Sequence, residues 1–452
     1  MNTVGSSFNS FHGRVRLAFS LMRRLPSLIK RSFAYVREHG LKAFWVRVKE
    51  RIASEIVQSL YKPSPDLFES LYHSFNGARN QDNPEYVPIV EAEFPIEQAP
   101  VKLIAFYLPQ FHPIPENDKW WGKGFTEWTN VSKAVPQFVD HYQPRLPGEL
   151  GFYDLRVPEV QKRQIELARK YGIYGFAFYY YWFGGKRLLE RPIDMFFSNK
   201  ENNFPFCIFW ANENWTRRWD GKESDILIAQ DHSPESDFAF IRDIAPYMED
   251  ERYIRIDGKP VLLVYRVQLL PEPRETAGRW RKYCREAGIG EIYLVAGQVY
   301  GFDDPRVVGF DAAIEFPPHN IKIKRINDSI QILNPAYQGH IFDYKDFASF
   351  YANKPEEYQY ELFKTVSPSW DNEPRMPGRS LIVLHSTPRI YQQWLKKACL
   401  SALKKEKNKR FVFINAWNEW AEGAYLEPDR RLGYAYLQAT VNTLNEFIEA
   451  PP

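Results

Sequence analysis

Between Val101 and Trp417 the chain carries eight short, nearly uninterrupted apolar runs, and their number constrains the fold more than any other feature. They are Val101 to Leu108, Ile173 to Trp182, Pro205 to Ala211, Pro260 to Arg266, Ile292 to Gly297, Phe310 to Phe316, Phe363 to Ser369 and Arg410 to Trp417. Amphipathic stretches follow most of them: Val157 to Tyr171, Glu235 to Glu249, Pro271 to Gly288, Pro388 to Lys407 and Tyr434 to Ile448. A strand that is apolar on both faces belongs in a parallel sheet covered by helices, and strand-helix alternation builds such sheets. Eight units in roughly 350 residues predict an α/β protein of the (β/α)8 TIM-barrel type with enlarged loops, because that fold tolerates insertions well beyond about 250 residues. The competing doubly wound sheet would place a Gly-rich phosphate loop after the first strand. Ala105 through His112 contains no glycine, and no Walker-type loop occurs elsewhere.

Charge divides the chain differently from its strands. Residues 1–62 hold 12 Lys/Arg against 3 Glu, whereas the remainder holds 47 basic and 53 acidic residues. The acidic body excludes a nucleic-acid grip, so no nucleic-acid partner is expected. Within residues 14–60 apolar positions recur at helical spacing, first Leu17, Leu21, Leu25 and Leu28, then Leu41, Trp45, Val48, Ile52 and Ile56, with a break at Pro26. These positions predict basic amphipathic helices, which either lie on an anionic membrane surface or pack as a hairpin on the barrel. From Pro63 to Pro100 six prolines punctuate a polar stretch, which reads as a linker or extended strap. The expected domains are therefore a basic helical segment at 1–62, a Pro-rich linker at 63–100 and a barrel at 101–452. No run of about 18 apolar residues predicts a membrane-spanning helix. Basic residues interrupt the first 30 positions, so a cleavable leader is not expected and the chain is read as cytoplasmic, with a peripheral inner-membrane position following from the first reading of the helices. Cys207, Cys284 and Cys399 are too few and too far apart for a disulfide scaffold or a zinc site.

A TIM barrel places its chemistry at the C-terminal ends of its strands. Those ends are polar and aromatic here: Gln110 and His112 after the first run, Tyr179 to Trp182 at the second, and Trp210, Asn212, Glu213, Asn214 and Trp215 at the third. Glu315 and His319 close the sixth, Trp370 and Asp371 the seventh, and Asn415, Trp417, Asn418, Glu419, Trp420 and Glu422 the eighth. Ten of the 13 tryptophans, including Trp120, Trp121, Trp128 and Trp219, lie at or just beyond a strand end. Indole faces suit the C–H face of a pyranose while Asn and Glu bind its hydroxyls, so a saccharide is the expected ligand. Any single ring could instead fill the barrel mouth.

Cleaving a glycosidic bond requires one carboxylic acid to protonate the leaving oxygen and a second carboxylate as base or nucleophile. Glu419 and Glu422, three residues apart, would share one face of a helical turn, about 5 to 6 Å apart at Cβ. Mutual repulsion would keep one of them protonated near neutral pH. Asn212-Glu213 is the rival pair, ranked as substrate-binding first and catalytic second. His112 and His319 either bind sugar hydroxyls, orient a carboxylate or are satisfied in packed loops. No His/Asp/Glu cluster has metal spacing, so neither a metal nor a cofactor is expected.

Three segments, Phe106-Tyr107-Leu108-Pro109-Gln110-Phe111-His112, Trp210-Ala211-Asn212-Glu213-Asn214-Trp215-Thr216 and Asn415-Ala416-Trp417-Asn418-Glu419-Trp420-Ala421-Glu422-Gly423, resemble the WbsX-type, glycoside hydrolase family 99-like domain. The resemblance covers the chain from about Val101 to its end. It implies a (β/α)8 barrel of bacterial O-antigen and capsule gene clusters, with retaining endo-α-mannosidases in the wider group and members labelled glycosyltransferases. By motif position it implies that Glu419 takes the proton of a neighbouring sugar hydroxyl, forming a 1,2-anhydro sugar, and that Glu422 is general acid and base. Ala421 departs from the pattern, since those mannosidases carry His there.

Overall fold

The computed structural model describes residues 83–217, 222–354 and 358–449, together with the isolated positions Lys49, Glu69 and Tyr72. The expected basic helices at 14–60 and the ring of Trp219 lie outside the described residues, apart from Lys49.

Eight parallel strands close on themselves: β1 (Lys102–Tyr107), β2 (Ile173–Phe183), β3 (Phe206–Trp210), β4 (Lys259–Val264), β5 (Tyr293–Gln298), β6 (Ala312–Glu315), β7 (Glu361–Val366) and β8 (Phe411–Ile414). Each pairs with its sequence neighbours, and closure comes from β1 pairing with both β8 and β2. The register Lys102 to Phe411 on one side and Phe106 to Ala177 on the other shows how closure happens. All eight predicted runs are barrel strands, and the (β/α)8 architecture is the one expected.

Among the described residues seven helices surround the strands: α1 (Pro158–Lys170), α2 (Arg191–Ser198), α3 (Pro234–Glu249), α4 (Pro273–Glu286), α5 (Tyr344–Ala352), α6 (Pro388–Leu403) and α7 (Ala435–Glu449). Proline stands in the first turn of α1, α2, α3, α4 and α6, where its missing N–H has no intrahelical partner to lose. After β5 there is only a 3-10 turn, Pro305–Val308. The helices α2 and α5 have no counterpart in the sequence reading, being eight and nine residues long and too short for a clear period. No described helix is long and apolar enough to cross a membrane.

Residues 83–100 form a strap outside the barrel, where Val87 N–H donates to Leu432 O (3.1 Å), Tyr434 N–H to Val87 O (2.9 Å) and Phe94 N–H to Lys170 O (3.2 Å). Two enlarged loops build the mouth. The β1 loop carries a short helix, Glu127–Lys133, whose Thr126 cap accepts the Trp128 N–H. The β7 loop forms, with part of the β6 loop, a three-stranded sheet of His340–Asp343, Leu381–Leu384 and Trp370–Asp371, and its turn projects Arg375.

Candidate active site

Side chains alternate along a strand, so every second strand residue enters the barrel. Phe106 of β1 stacks on Phe209 of β3 at 5.0 Å and meets Phe316, beyond β6, at 5.2 Å and Phe413 of β8 at 5.8 Å. Tyr179 of β2 joins them at 5.2 Å from Phe209. This aromatic layer seals the barrel interior and forms the floor of the mouth. Tyr265 stands edge-on to Phe316, and its hydroxyl shares a 2.8 Å hydrogen bond with His319 Nε2. Tyr351 donates its hydroxyl to the His319 carbonyl, fixing the loop that carries that ring.

Above the floor lies the charge. Residues Trp420–Glu422 make one 3-10 turn, the local helical winding that the spacing predicts. Arg375 spans both glutamates of the turn, with Nη2 3.0 Å from Glu419 Oε2 and Nη1 2.7 Å from Glu422 Oε1. The same Nη2 lies 3.2 Å from Glu127 Oε2. Glu127 is fully buried, Glu419 is 5 % exposed and Glu422 is 21 % exposed, so the outermost carboxylate is Glu422. Three carboxylates thus share one guanidinium. Burial, which Arg375 opposes and the charges of Glu422 and Glu127 reinforce, pushes Glu419 up to about 8. Burial also raises Glu127, against the pull of Arg375. Burial thus favours a proton on Glu419 at neutral pH.

Neighbouring contacts hold the turn still. Asn418 bridges to the end of β1, accepting the Leu108 N–H (2.7 Å) and donating to the Leu108 carbonyl (3.0 Å). Trp420 donates its indole N–H to Glu427 (2.7 Å), which also accepts from Tyr153 (2.9 Å) and Gln164 (2.6 Å). Gly423 ends the turn at φ +63°, where a Cβ would lie 2.9 Å from the Asp371 Cβ and 3.1 Å from the Arg145 Cζ. Glycine is required there by conformation and by space. Asp371 accepts from Gln143 (2.8 Å) and pairs with His141 Nε2 (2.8 Å). His141 and Arg145 overcome the opposing effect of burial and hold its carboxyl at about 2.

Of the residues expected to bind substrate, the mouth gathers Tyr179, Tyr181, Trp215, Glu213, His319 and Gln110. Gln110 donates to the Tyr181 hydroxyl (2.7 Å), and Trp215 stands edge-on to Tyr181 at 5.1 Å and to Trp120 at 5.9 Å. Glu213 is paired with Arg266 (2.6 Å), not with the Glu419 cluster. Trp121, half-buried, faces Phe125 at 6.0 Å.

Other candidates sit elsewhere, the strand residues Trp182, Trp210 and Glu315 because alternation sends half of each strand end toward the helices. Trp182 and Trp210 are buried against α3, Trp210 stacking on Phe240 at 4.1 Å. Trp417 packs on Phe176 of β2 at 5.3 Å, Trp420 lies under the turn on Tyr425 at 3.8 Å, and Trp370 is buried. Glu315 faces outward to Lys364 (3.2 Å) and Lys354 (3.7 Å), beside a cavity of about 270 Å³ between α5 and α6. These six side chains are packing or buried ion-pair groups, contrary to expectation. Asn212 holds the Arg266 backbone through its N–H (2.8 Å) and carbonyl (2.9 Å), and Asn214 accepts from the Gln230 N–H (2.7 Å). With Asn418 they position loops. His112 is buried, and burial pushes it down to about 4, which keeps it neutral.

The sequence reading missed Glu127, Arg375 and Tyr265. Glu127 and Arg375 stand in long loops without periodicity, and Tyr265 follows β4, whose end carries no cluster of polar residues.

The profile of the family described as Glycosyltransferase WbsX matches residues 103–440. Two curated relatives, both named Uncharacterized protein WxcX and both from Xanthomonas campestris pv. campestris (strains B100 and ATCC 33913), are 53 % and 52 % identical over 349 residues. That alignment covers 77 % of this chain and 50 % of each relative, so the chain spans about half the length of the curated proteins it matches. Among solved structures, one titled "Glycoside hydrolase-like protein" superposes with a TM-score of 0.53 at 16 % identity, covering 80 % of this chain and 99 % of its own. The GH99 endo-alpha-mannosidase from Bacteroides thetaiotaomicron gives a TM-score of 0.47 at 15 % identity, over 77 % of this chain and 97 % of its own.

Proposed function

From the premise that the chain belongs to the WbsX glycosyltransferase family, we propose that it is a glycan-acting enzyme of surface-polysaccharide biosynthesis that breaks an α-glycosidic, mannoside-like bond with Glu419 and Glu422. The observation that carries this reading is the convergence of both motif carboxylates on the single guanidinium of Arg375, inside an aromatic mouth at the C-terminal end of the barrel. Glu422, the more accessible of the two, gives its proton to the glycosidic oxygen as the bond from C1 to that oxygen breaks. Glu419 takes the proton of the 2-hydroxyl, whose oxygen attacks C1 and closes a 1,2-anhydro ring. Burial favours the cluster's retained proton on Glu419, so the reactive form is the one in which that proton stands on Glu422 and Glu419 is ionised. In the second half Glu422 deprotonates the incoming hydroxyl, which opens the ring at C1, and Glu419 returns its proton to O2. Configuration at C1 is retained.

The incoming hydroxyl belongs to water in a hydrolase and to a second sugar in a transferase, and the family's description favours keeping the latter as the second reading. Purified protein incubated with α-linked mannosides, with and without nucleotide sugars, separates them by mass spectrometry. Fragment release without a donor is the expected result; mass gain that requires a nucleotide sugar would give the two glutamates other roles. Glu419→Gln and Glu422→Gln should each lower turnover by at least about 10²-fold with saccharide binding retained, and unchanged turnover would sink the assignment.

The basic charge of residues 14–60 supports docking on an anionic lipid surface at the cytoplasmic face of the inner membrane. Deletion of residues 1–62 should abolish co-sedimentation with anionic vesicles, and equal sedimentation of the truncated chain would refute the docking role.

A further inference from the structure

A second polar cleft opens behind the catalytic turn on the same C-terminal face of the barrel. Its volume of about 440 Å³ falls within the range of small-molecule sites, and the loops after β1, β6, β7 and β8 line it together with the start of α6. A continuous pile of rings and guanidiniums connects it to the turn. Trp420 stacks on Tyr425 at 3.8 Å, Arg145 lies over Tyr425 at 5.7 Å and over Tyr142 at 5.4 Å, and Arg431 covers Tyr142 at 4.8 Å. Arg145 also forms part of the wall against which Gly423 closes.

The hydrogen-bonding capacity in this cleft is uneven. Asp371 is engaged by His141 and Gln143, and Asp429 by the Tyr425 hydroxyl (2.8 Å) and the N–H groups of Arg431 (3.0 Å) and Leu432 (2.6 Å). The Arg431 guanidinium, by contrast, lies over the Tyr142 ring and makes no ion pair within 4 Å among the described residues, although its charge is felt by the neighbouring Asp429. A guanidinium held flat on a ring at the end of a stack is a preorganised fork of donors. Glu85 and Asp140 stand at the rim, so four carboxylates line the cleft against the guanidiniums of Arg145 and Arg431, which disfavours a phosphate or another multiply charged anion. Tyrosine rings with mixed donors and acceptors and no cationic excess suit a neutral saccharide.

We propose that this cleft is a second glycan subsite, taking one or two neutral pyranose units and lying against the catalytic turn through the pile that ends at Arg431. The proposal rests on the reading of the mouth as a glycan-acting site. Its test is oxidative footprinting of full-length Glu422→Gln protein with α-linked manno-oligosaccharides of two, four and six units, read at Tyr142 for the cleft and at Trp215 for the mouth. Protection of Tyr142 by the longer oligosaccharides is expected. It should be lost in Arg431→Ala and in Tyr142→Leu, read there at Tyr436, while protection of Trp215 persists and affinity for the six-unit probe falls about tenfold. Persistent Trp215 protection also reports that the variants are folded. Protection of Trp215 with none at Tyr142 would overturn the second subsite and leave the mouth intact, whereas protection at neither would overturn both. Protection at Tyr142 together with no turnover of α-mannosides by the parent protein, Glu422 intact, would support the subsite and overturn the glycosidase reading.

Discussion

Replacing Arg375 with Met removes the shared counter-charge of Glu127, Glu419 and Glu422 while keeping most of the side-chain volume. Stripping the partner from a buried ion pair costs about 3–5 kcal/mol when the remaining charges stay ionised. These carboxylates can escape part of that cost by taking up protons, and Glu419 already titrates at about 8 beside the arginine. Without Arg375 the Glu419 carboxyl rises further, so at pH 5.5 Glu419 is neutral with or without the arginine and the loss shrinks to roughly 1–2 kcal/mol. At pH 8.5 Glu419 is mostly ionised in the parent, so more of the loss, about 3.5 kcal/mol, remains. A folded unit of roughly 350 residues unfolds with an entropy near 2.1 cal/mol/K per residue, which makes 1 kcal/mol worth about 1.4 °C in Tm. Scanning fluorimetry should therefore show Arg375→Met about 5 °C below the parent at pH 8.5 and only about 2 °C below it at pH 5.5. The measurement needs no substrate. Equal losses at the two pH values, or a larger loss in acid, would refute the claim that Arg375 acts as the electrostatic partner of these groups.

Burial pushes Glu427 up to about 7, above its value in the unfolded chain, so its contribution to stability is full below about pH 4.5 and is lost as pH rises through 7. Glu427→Gln should flatten the fall of Tm between pH 5 and 8, removing about 3 kcal/mol of pH dependence; an unchanged slope in a denaturation series would count against it. Gly423→Ala forces a Cβ against Asp371 and a left-handed residue into a tight turn, and should cost about 1–3 kcal/mol with a fall in kcat larger than any change in KM. Asn418→Ala leaves the Leu108 N–H and carbonyl without their partner, with an expected loss of about 2–4 kcal/mol in chemical denaturation.

The barrel was legible because its eight strands are apolar on both faces, a pattern that few other architectures need. Closure itself, β1 against β8, followed from the count alone. The proximity of Glu419 and Glu422 was legible because they sit in one short turn after β8, where local spacing predicts it. What decides their ionisation was not legible, since Glu127 lies 292 positions before Glu419 and Arg375 lies 44 before it, and only the closed barrel brings the loops together. The tryptophans show the converse limit. Composition correctly pointed to strand ends, but the face each ring takes depends on whether its position is odd or even from a strand boundary that sequence fixes only to within a residue or two. Tyr179 and Tyr181 therefore enter the mouth while Trp182 packs beneath α3.

Positively charged sugar mimics ordinarily gain affinity by lending a cation to an acid–base pair of carboxylates. On the proposed reading of Glu419 and Glu422, the chain's own Arg375 already occupies that place, and a charged inhibitor would have to evict it or sit beside it as a like charge. Neutral mimics of a strained ring, such as epoxides or cyclic carbonates, face no such competition. The same arginine thus doubles as a filter on inhibitor chemistry, and a screen for ligands of this protein should begin with uncharged compounds.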